Sequence, residues 1–234
     1  MSVRIAVLAS GSGTNLQALL DHFRTDDSAD ITLVISDRAD AGALARARAA
    51  DVDSEHVEVR GRSDDDVARQ TLALLEQHGI DMIALAGYLR LVPARVTERF
   101  RSRILNIHPA LLPAFGGAGM YGRHVHEAVL AARVKVTGAT VHFVDERYDE
   151  GRVIAQWPVP VLPGDDAATL GARVLRVEHR LFPVVVAAVA RSLGHSESAG
   201  VGRAASRPSG QADIFRLTAS PDGIEAEISG LTGL

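Results

Sequence analysis

Asn106 and His108 sit two residues apart in Ile104-Leu105-Asn106-Ile107-His108-Pro109. A side-chain amide beside an imidazole can donate to a developing oxyanion and handle a proton. In a strand, a spacing of two puts both side chains on one face, with Leu105 and Ile107 on the other. Pro109 disfavours the helical region for the residue before it, which keeps His108 extended to the strand's end. A carboxylate within reach would favour the imidazolium and raise the His108 pKa. Asp149, in Tyr148-Asp149-Glu150-Gly151, follows a predicted strand and can lie on the same sheet edge, and Asp145, Glu146 and Glu150 are its rivals. The alternative is a histidine that caps the loop and does no chemistry.

A second candidate is Gly11-Ser12-Gly13-Thr14-Asn15, between an apolar run and a helical pattern. Backbone N–H groups at such a helix start can hold a phosphate. Leu16 occupies the place of the third glycine of a dinucleotide fingerprint, and no Gly-Lys-Ser/Thr follows, so a phosphomonoester suits the loop better than NAD or ATP. The plain alternative is a tight turn capped by Thr14 or Asn15.

Other polar residues carry less. His124 and His126 with His142 and His108 invite a metal, but helical residues two apart do not face each other. With no cysteine and no H-E-x-x-H pattern, no catalytic metal is expected. His142 reads as one face of an alternating strand. Glu178, beside the apolar stripe of the last helix, reads from its neighbours alone as a solvated surface residue.

These side chains need a scaffold. Apolar runs at Arg4–Ala9, Ile31–Ser36, Met82–Ala86 and Ile104–Ile107, with a short one at His56–Val59, alternate with helical patterns. The helices run from Leu16 to Phe23, Ala41 to Ala50, Ser63 to about Gln77, and Pro93 to Phe100. Ser63 with Asp66 resembles a capping box. The alternation predicts an α/β fold, a Rossmann-like open, mostly parallel sheet with helices on both faces. Further on come a glycine-rich loop from Pro109 to Arg123, a helix from His124 to Ala132, and strands at Thr137–Val144 and Val153–Val161, the latter at an edge because of Pro158 and Pro160. A last helix from Asp165-Asp166 should kink or end at Pro183 before an apolar continuation to Leu193. The expected domain is 1–193, with a Gly/Ser/Ala-rich linker and tail at 194–234 that holds a weak hairpin around Ser220-Pro221-Asp222.

Composition sets the outer bounds. The chain has 234 residues, 47% hydrophobic and 23% charged, with net charge -4. It offers no basic stripe for nucleic acid. Cysteines are absent, which excludes disulfides and thiolate chemistry. The N-terminal apolar run is too short for a membrane span, so no membrane partner is expected and a cytoplasmic location is.

Taken together and in order, Gly11–Asn15, Leu85-Ala86-Gly87-Tyr88-Leu89-Arg90, Asn106-Ile107-His108-Pro109-Ala110-Leu111-Leu112-Pro113 and Gly138–Asp145 with Asp149 resemble the phosphoribosylglycinamide formyltransferase family. The similarity runs from about Val3 to Leu193. It implies formyl transfer from 10-formyltetrahydrofolate to the amino group of glycinamide ribonucleotide (GAR) in purine synthesis, with no metal, in a monomer or homodimer. Asn106, His108 and Asp149 would be catalytic. Gly13, Thr14, Asn15 and Glu178 would bind GAR, which replaces the surface reading of Glu178. Leu89, Arg90, Leu91, Val92, Asn106, Asp145, Glu146, Arg147 and Tyr148 would bind the folate.

Three places depart from the family's pattern. Asp64–Asp66 stand where many members carry an arginine, Phe115-Gly116-Gly117 lacks a proline, and Arg152 replaces a proline. Among relatives, methionyl-tRNA formyltransferase is expected to need a further basic RNA-binding domain, and formyltetrahydrofolate hydrolase an additional N-terminal domain. Hydrolysis is the nearest alternative activity. A non-catalytic phosphoribosyl-ligand sensor is the alternative from another class.

Overall fold

Val3–Leu8 (β1) is buried on both sides because its residues alternate between two apolar clusters, Val3, Ile5 and Val7 in one, Ala6 and Leu8 in the other. The computed structural model describes residues 2–198. After β1 come Thr14–Phe23 (α1), Ala29–Ser36 (β2), Gly42–Ala49 (α2), Asp53–His56 (β3), Asp64–Gln77 (α3), Met82–Leu85 (β4), Ala94–Arg99 (α4) and Ile104–His108 (β5). Arg123–Ala131 (α5), Val136–Phe143 (β6), Val153–Pro160 (β7) and Ala167–Ser198 (α6) complete the described chain. The strands form one seven-stranded sheet in the order β3-β2-β1-β4-β5-β6-β7.

From β1 to β5 every pairing is parallel, and β6 and β7 pair antiparallel at one edge. Helices α1, α2, α5 and α6 pack on one face, and α3 and α4 on the other. This is the expected Rossmann-like, mostly parallel α/β sheet. The order reverses between β1 and β4, the crevice where ligands settle in such sheets. Ser10 ties the two strand ends there, since its N–H donates to the Gly87 carbonyl and its hydroxyl accepts from the Leu89 N–H.

Local signals were mostly kept. The Ser63 hydroxyl accepts from the Asp66 N–H and caps α3, with Asp64–Asp66 in its first turn. β7 lies at the edge, as its prolines require.

Three expectations need correction. The short third strand is Asp53–His56, not His56–Val59, because its ladder follows Leu33–Ser36 of β2. Val57 instead packs into the core just beyond the strand. α6 does not end at Pro183 but runs on to Ser198. Leu170, Val174, Val177 and Leu181 before the proline and Val185, Val186 and Val189 after it are all buried in the same cluster, so packing on both sides outweighs the one lost N–H. β6 does not alternate, since Thr137–His142 are buried without interruption. The hairpin around Ser220–Asp222 lies outside the described residues.

Candidate active site

Two neighbouring strands bring the catalytic candidates together. Asn106 on β5 stands directly opposite His142 on β6, and His108 opposite Thr140. Opposed residues of an antiparallel pair share a face. The Asn106 amide nitrogen therefore lies 3.0 Å from His142 Nε2, while His142 Nδ1 donates to the Phe143 carbonyl at 2.8 Å. That bond fixes the tautomer and leaves His142 Nε2 to accept from Asn106.

Asp149 is the hub. One carboxylate oxygen is 3.4 Å from the Asn106 amide and 3.5 Å from His142 Nε2, and the other is 3.4 Å from His108 Nδ1 and accepts from the Gly117 N–H at 3.0 Å. The carboxylate reaches this position from an unexpected side. β6 runs opposite to β5, so the β6–β7 loop starts level with Ile104, where the Val144 N–H donates to its carbonyl. It then climbs the sheet toward His108, about 13 Å at strand rise. Asp149 itself sits in the left-handed region, at φ 58°. Asp145, Glu146 and Glu150, its rivals on sequence, instead line a neighbouring cavity of about 450 Å³.

His108 is 3% exposed, and its Nε2 donates to the Phe115 carbonyl at 2.9 Å. Phe115 adopts φ 58°, and this turns its carbonyl inward. A Cβ on Gly116 would stand 2.5 Å from Leu112 Cδ2 and 3.2 Å from Asp149 Cβ, so the loop packs closely here without the expected proline. Burial lowers the His108 pKa below the ordinary imidazole value, against the opposing pull of Asp149 and the Phe115 carbonyl. The expected rise is therefore reversed in the free protein. Burial pushes Asp149 up, but the neighbouring His142 and His108 rings and the Gly117 N–H together hold it below the usual carboxylate range.

Thr140 anchors the loop after His108. Its hydroxyl donates to the Ala110 carbonyl at 2.6 Å and accepts from the Leu112 N–H at 3.0 Å and from Gln156 at 3.1 Å. Gln156 also donates to the Leu112 carbonyl at 2.8 Å.

A cavity of about 610 Å³ opens from this cluster. Leu89, Arg90, Leu91 and Val92 line it, together with Arg147 and Tyr148. Leu89, Leu91 and Tyr148 are exposed there, an apolar rim suited to a flat ring. Of the expected folate contacts, Asp145 and Glu146 alone miss this cavity.

The cavity's other arm reaches Gly11, Asn15 and Glu178. Gly13 caps α1 at φ 76° with no side-chain cap, so neither Thr14 nor Asn15 fills the helix start. Gly13 and Thr14 form the turn and do not line the cavity. A Cβ on Gly13 would fall 2.7 Å from Ala43 Cα, so glycine is required there for close approach. The Asn15 amide donates to Glu178 at 2.7 Å across the cavity. Glu178 is only 7% exposed, and burial raises its pKa to about 6 against the Asn15 bond. The surface reading of Glu178 fails because α6 turns this position toward α1.

Two other departures have local explanations. Asp64–Asp66 fill the first turn of α3, and the neighbouring Arg62 bonds back to the Glu58 and Asp66 carbonyls and does not line the cavity. The Arg152 guanidinium stacks 4.7 Å from the Phe143 ring centroid. Among the described residues no His/Cys/Asp/Glu group could hold a metal ion, and no helix is long and apolar enough to cross a membrane. His142 is the site residue that sequence reasoning missed. An antiparallel β5–β6 pairing would have placed it opposite Asn106.

Phosphoribosylglycinamide formyltransferase of Arabidopsis thaliana, chloroplastic, is 40% identical over 196 residues, 80% of this chain, and the chain spans 65% of that relative's length. The enzyme of that name from Haemophilus influenzae is 37% identical over 186 residues, covering 78% of this chain and 85% of its own. The crystal structure of glycinamide ribonucleotide transformylase 1 from Symbiobacterium toebii superposes with TM-score 0.76 at 44% identity, covering 82% of this chain and 89% of its own. Since the formyl transferase family model also matches residues 3–186, the chain belongs to the formyl transferase family.

Proposed function

We propose that this chain transfers the formyl group of 10-formyltetrahydrofolate to the amino group of GAR, a step of purine synthesis, acting in the cytoplasm on two small molecules. The observation that carries this reading is one cavity joining Gly11, Asn15 and Glu178 to the Asn106, His108 and Asp149 cluster. A phosphoribosyl group fits the uncapped start of α1, with its ribose hydroxyls toward Glu178. The folate ring fits the rim of Leu89–Val92, Arg147 and Tyr148.

As the amine adds to the formyl carbon, negative charge gathers on the formyl oxygen; when the carbonyl re-forms, the bond to folate N10 breaks and the proton lost by the amine passes to that nitrogen. Asn106 and His108 both meet Asp149 at 3.4 Å, longer than the 3.0 Å bond that Gly117 makes to it. These long contacts are the ones most easily exchanged for bonds to that oxygen. Both ring nitrogens of His108 face acceptors, Phe115 and Asp149, so an imidazolium formed during the reaction is held in place. His142 keeps the Asn106 amide nitrogen oriented.

Hydrolysis would use the same three residues but has no need of the phosphate arm. The test measures folate product from 10-formyltetrahydrofolate with and without GAR. Product formation that depends on GAR is expected, and an equal rate without it overturns the reading. Replacing Asn106, His108 or Asp149 with alanine should each cost roughly 2.7–4 kcal/mol of barrier, or about 10²–10³ in kcat, with the circular-dichroism spectrum retained.

A further inference from the structure

His126 has no part in the scheme above, yet the fold makes room for it. It lies on α5 in the cavity wall and is 7% exposed. Its Nδ1 is buried without a hydrogen-bond partner among the described residues. A buried polar atom left unpaired is costly, and a ligand group would relieve that cost. α6 carries Gly171 against the ring, where a Cβ would stand 2.9 Å from His126 Cδ2 and 3.2 Å from Nε2. Glycine inside a helix weakens it, so its presence here serves the imidazole.

The position suits one particular partner. Gly171, Leu175 and Glu178 all line the cavity along α6. At 1.5 Å per residue, Gly171 is about 10 Å from Glu178, comparable to the span of a phosphorylated ribose bearing a short amide chain. A substrate whose phosphoribosyl end lies at Asn15 and Glu178 thus carries its far end to His126 and His108. Burial, then the charge of His108, lowers the His126 pKa, so the ring is a hydrogen-bond acceptor near neutral pH. Besides three tyrosines, the other titratable groups lining this cavity are Arg90, His108, His142, Arg147, Asp149 and Glu178, with Arg123 on its own helix.

We propose that His126 is a binding residue for the acceptor substrate, its imidazole accepting a hydrogen bond from the amine that receives the formyl group. This rests on the formyl-transfer reading. The bond orients the amine's lone pair toward the formyl carbon and satisfies the buried ring.

The test uses the intact protein labelled with ¹⁵N-histidine, titrated with GAR alone. The His126 ring nitrogens should shift and saturate with GAR. Ring signals unmoved while formyl transfer proceeds overturn the inference and leave the activity standing, whereas absence of any formyl transfer overturns both. In parallel, His126→Gln should lower kcat/KM for GAR at least tenfold with tetrahydrofolate affinity unchanged, and Gly171→Ala, which crowds the ring, should do the same. A folded His126→Gln with unaltered kcat/KM refutes the assignment.

Discussion

Glu178→Gln should make the protein more stable at pH 8 and leave its stability unchanged at pH 4. The carboxyl is buried beside Asn15, and its pKa rises from 4.5 in the unfolded chain to about 6 in the fold. A carboxyl raised in this way binds its proton more tightly when folded. Stability is therefore fully kept below pH 4.5 and falls as pH rises through 6. At 1.36 kcal/mol per pH unit, the ionised side chain costs the fold about 2 kcal/mol above pH 7. Glutamine matches the protonated acid in shape, carries no charge, and still accepts from the Asn15 amide. At pH 8 the variant should gain about 2 kcal/mol, a rise of roughly 4–8 °C in melting temperature for a domain of this size. Urea unfolding at pH 4 and 8 measures both values. An equal gain at both pH values, or a loss at pH 8, refutes the assignment of the cost to the buried charge. The same substitution should raise KM for GAR, because a charge kept at a cost to stability marks a site shaped for a ligand.

Gly13→Ala places a Cβ 2.7 Å from Ala43 Cα at φ 76°, and should lower stability by about 2 kcal/mol or more in denaturant titration. Thr140→Val leaves the Leu112 N–H and the Ala110 carbonyl without their buried partner, so unfolding should show a loss of about 2–4 kcal/mol. In that variant kcat should also fall, since the segment from His108 to Pro113 loses its anchor. Asp165, paired with Arg173 at 2.7 Å, has its pKa held down to about 2, chiefly by that bond. Its stabilisation is present above pH 3.8 and lost as pH falls through 2, so Asp165→Asn should melt below the unaltered protein at pH 6 and match it near pH 2.

Features carried by short-range chemistry were readable in advance. The capping Ser63, the strand that ends on His108 before Pro109, and the Gly13 turn all follow from neighbouring residues. Features set by partners far away in sequence were not. His142 gains meaning only from its register with Asn106, and Glu178 only from the facing turn of α1. The His108 pKa turned on how deeply the loop around Phe115 buries the ring, a quantity that no spacing records. Pro183 misled because local propensity ignored the apolar surface buried on both sides of it.

The Asn15–Glu178 bond joins residues 163 positions apart. It has a consequence for the order of assembly during synthesis. The cluster on the α3 and α4 face is complete once Ile104 has emerged, but the opposite face needs Val174 to Ala190. A nascent chain therefore has one side of its sheet only partly covered, by α1, α2 and α5, until nearly all of the described residues have left the ribosome. Contacts of such long range form late and slowly, and bare apolar surface is where chains stick to one another. A chain truncated shortly before α6 would carry all three of Asn106, His108 and Asp149, yet should be recovered as aggregate.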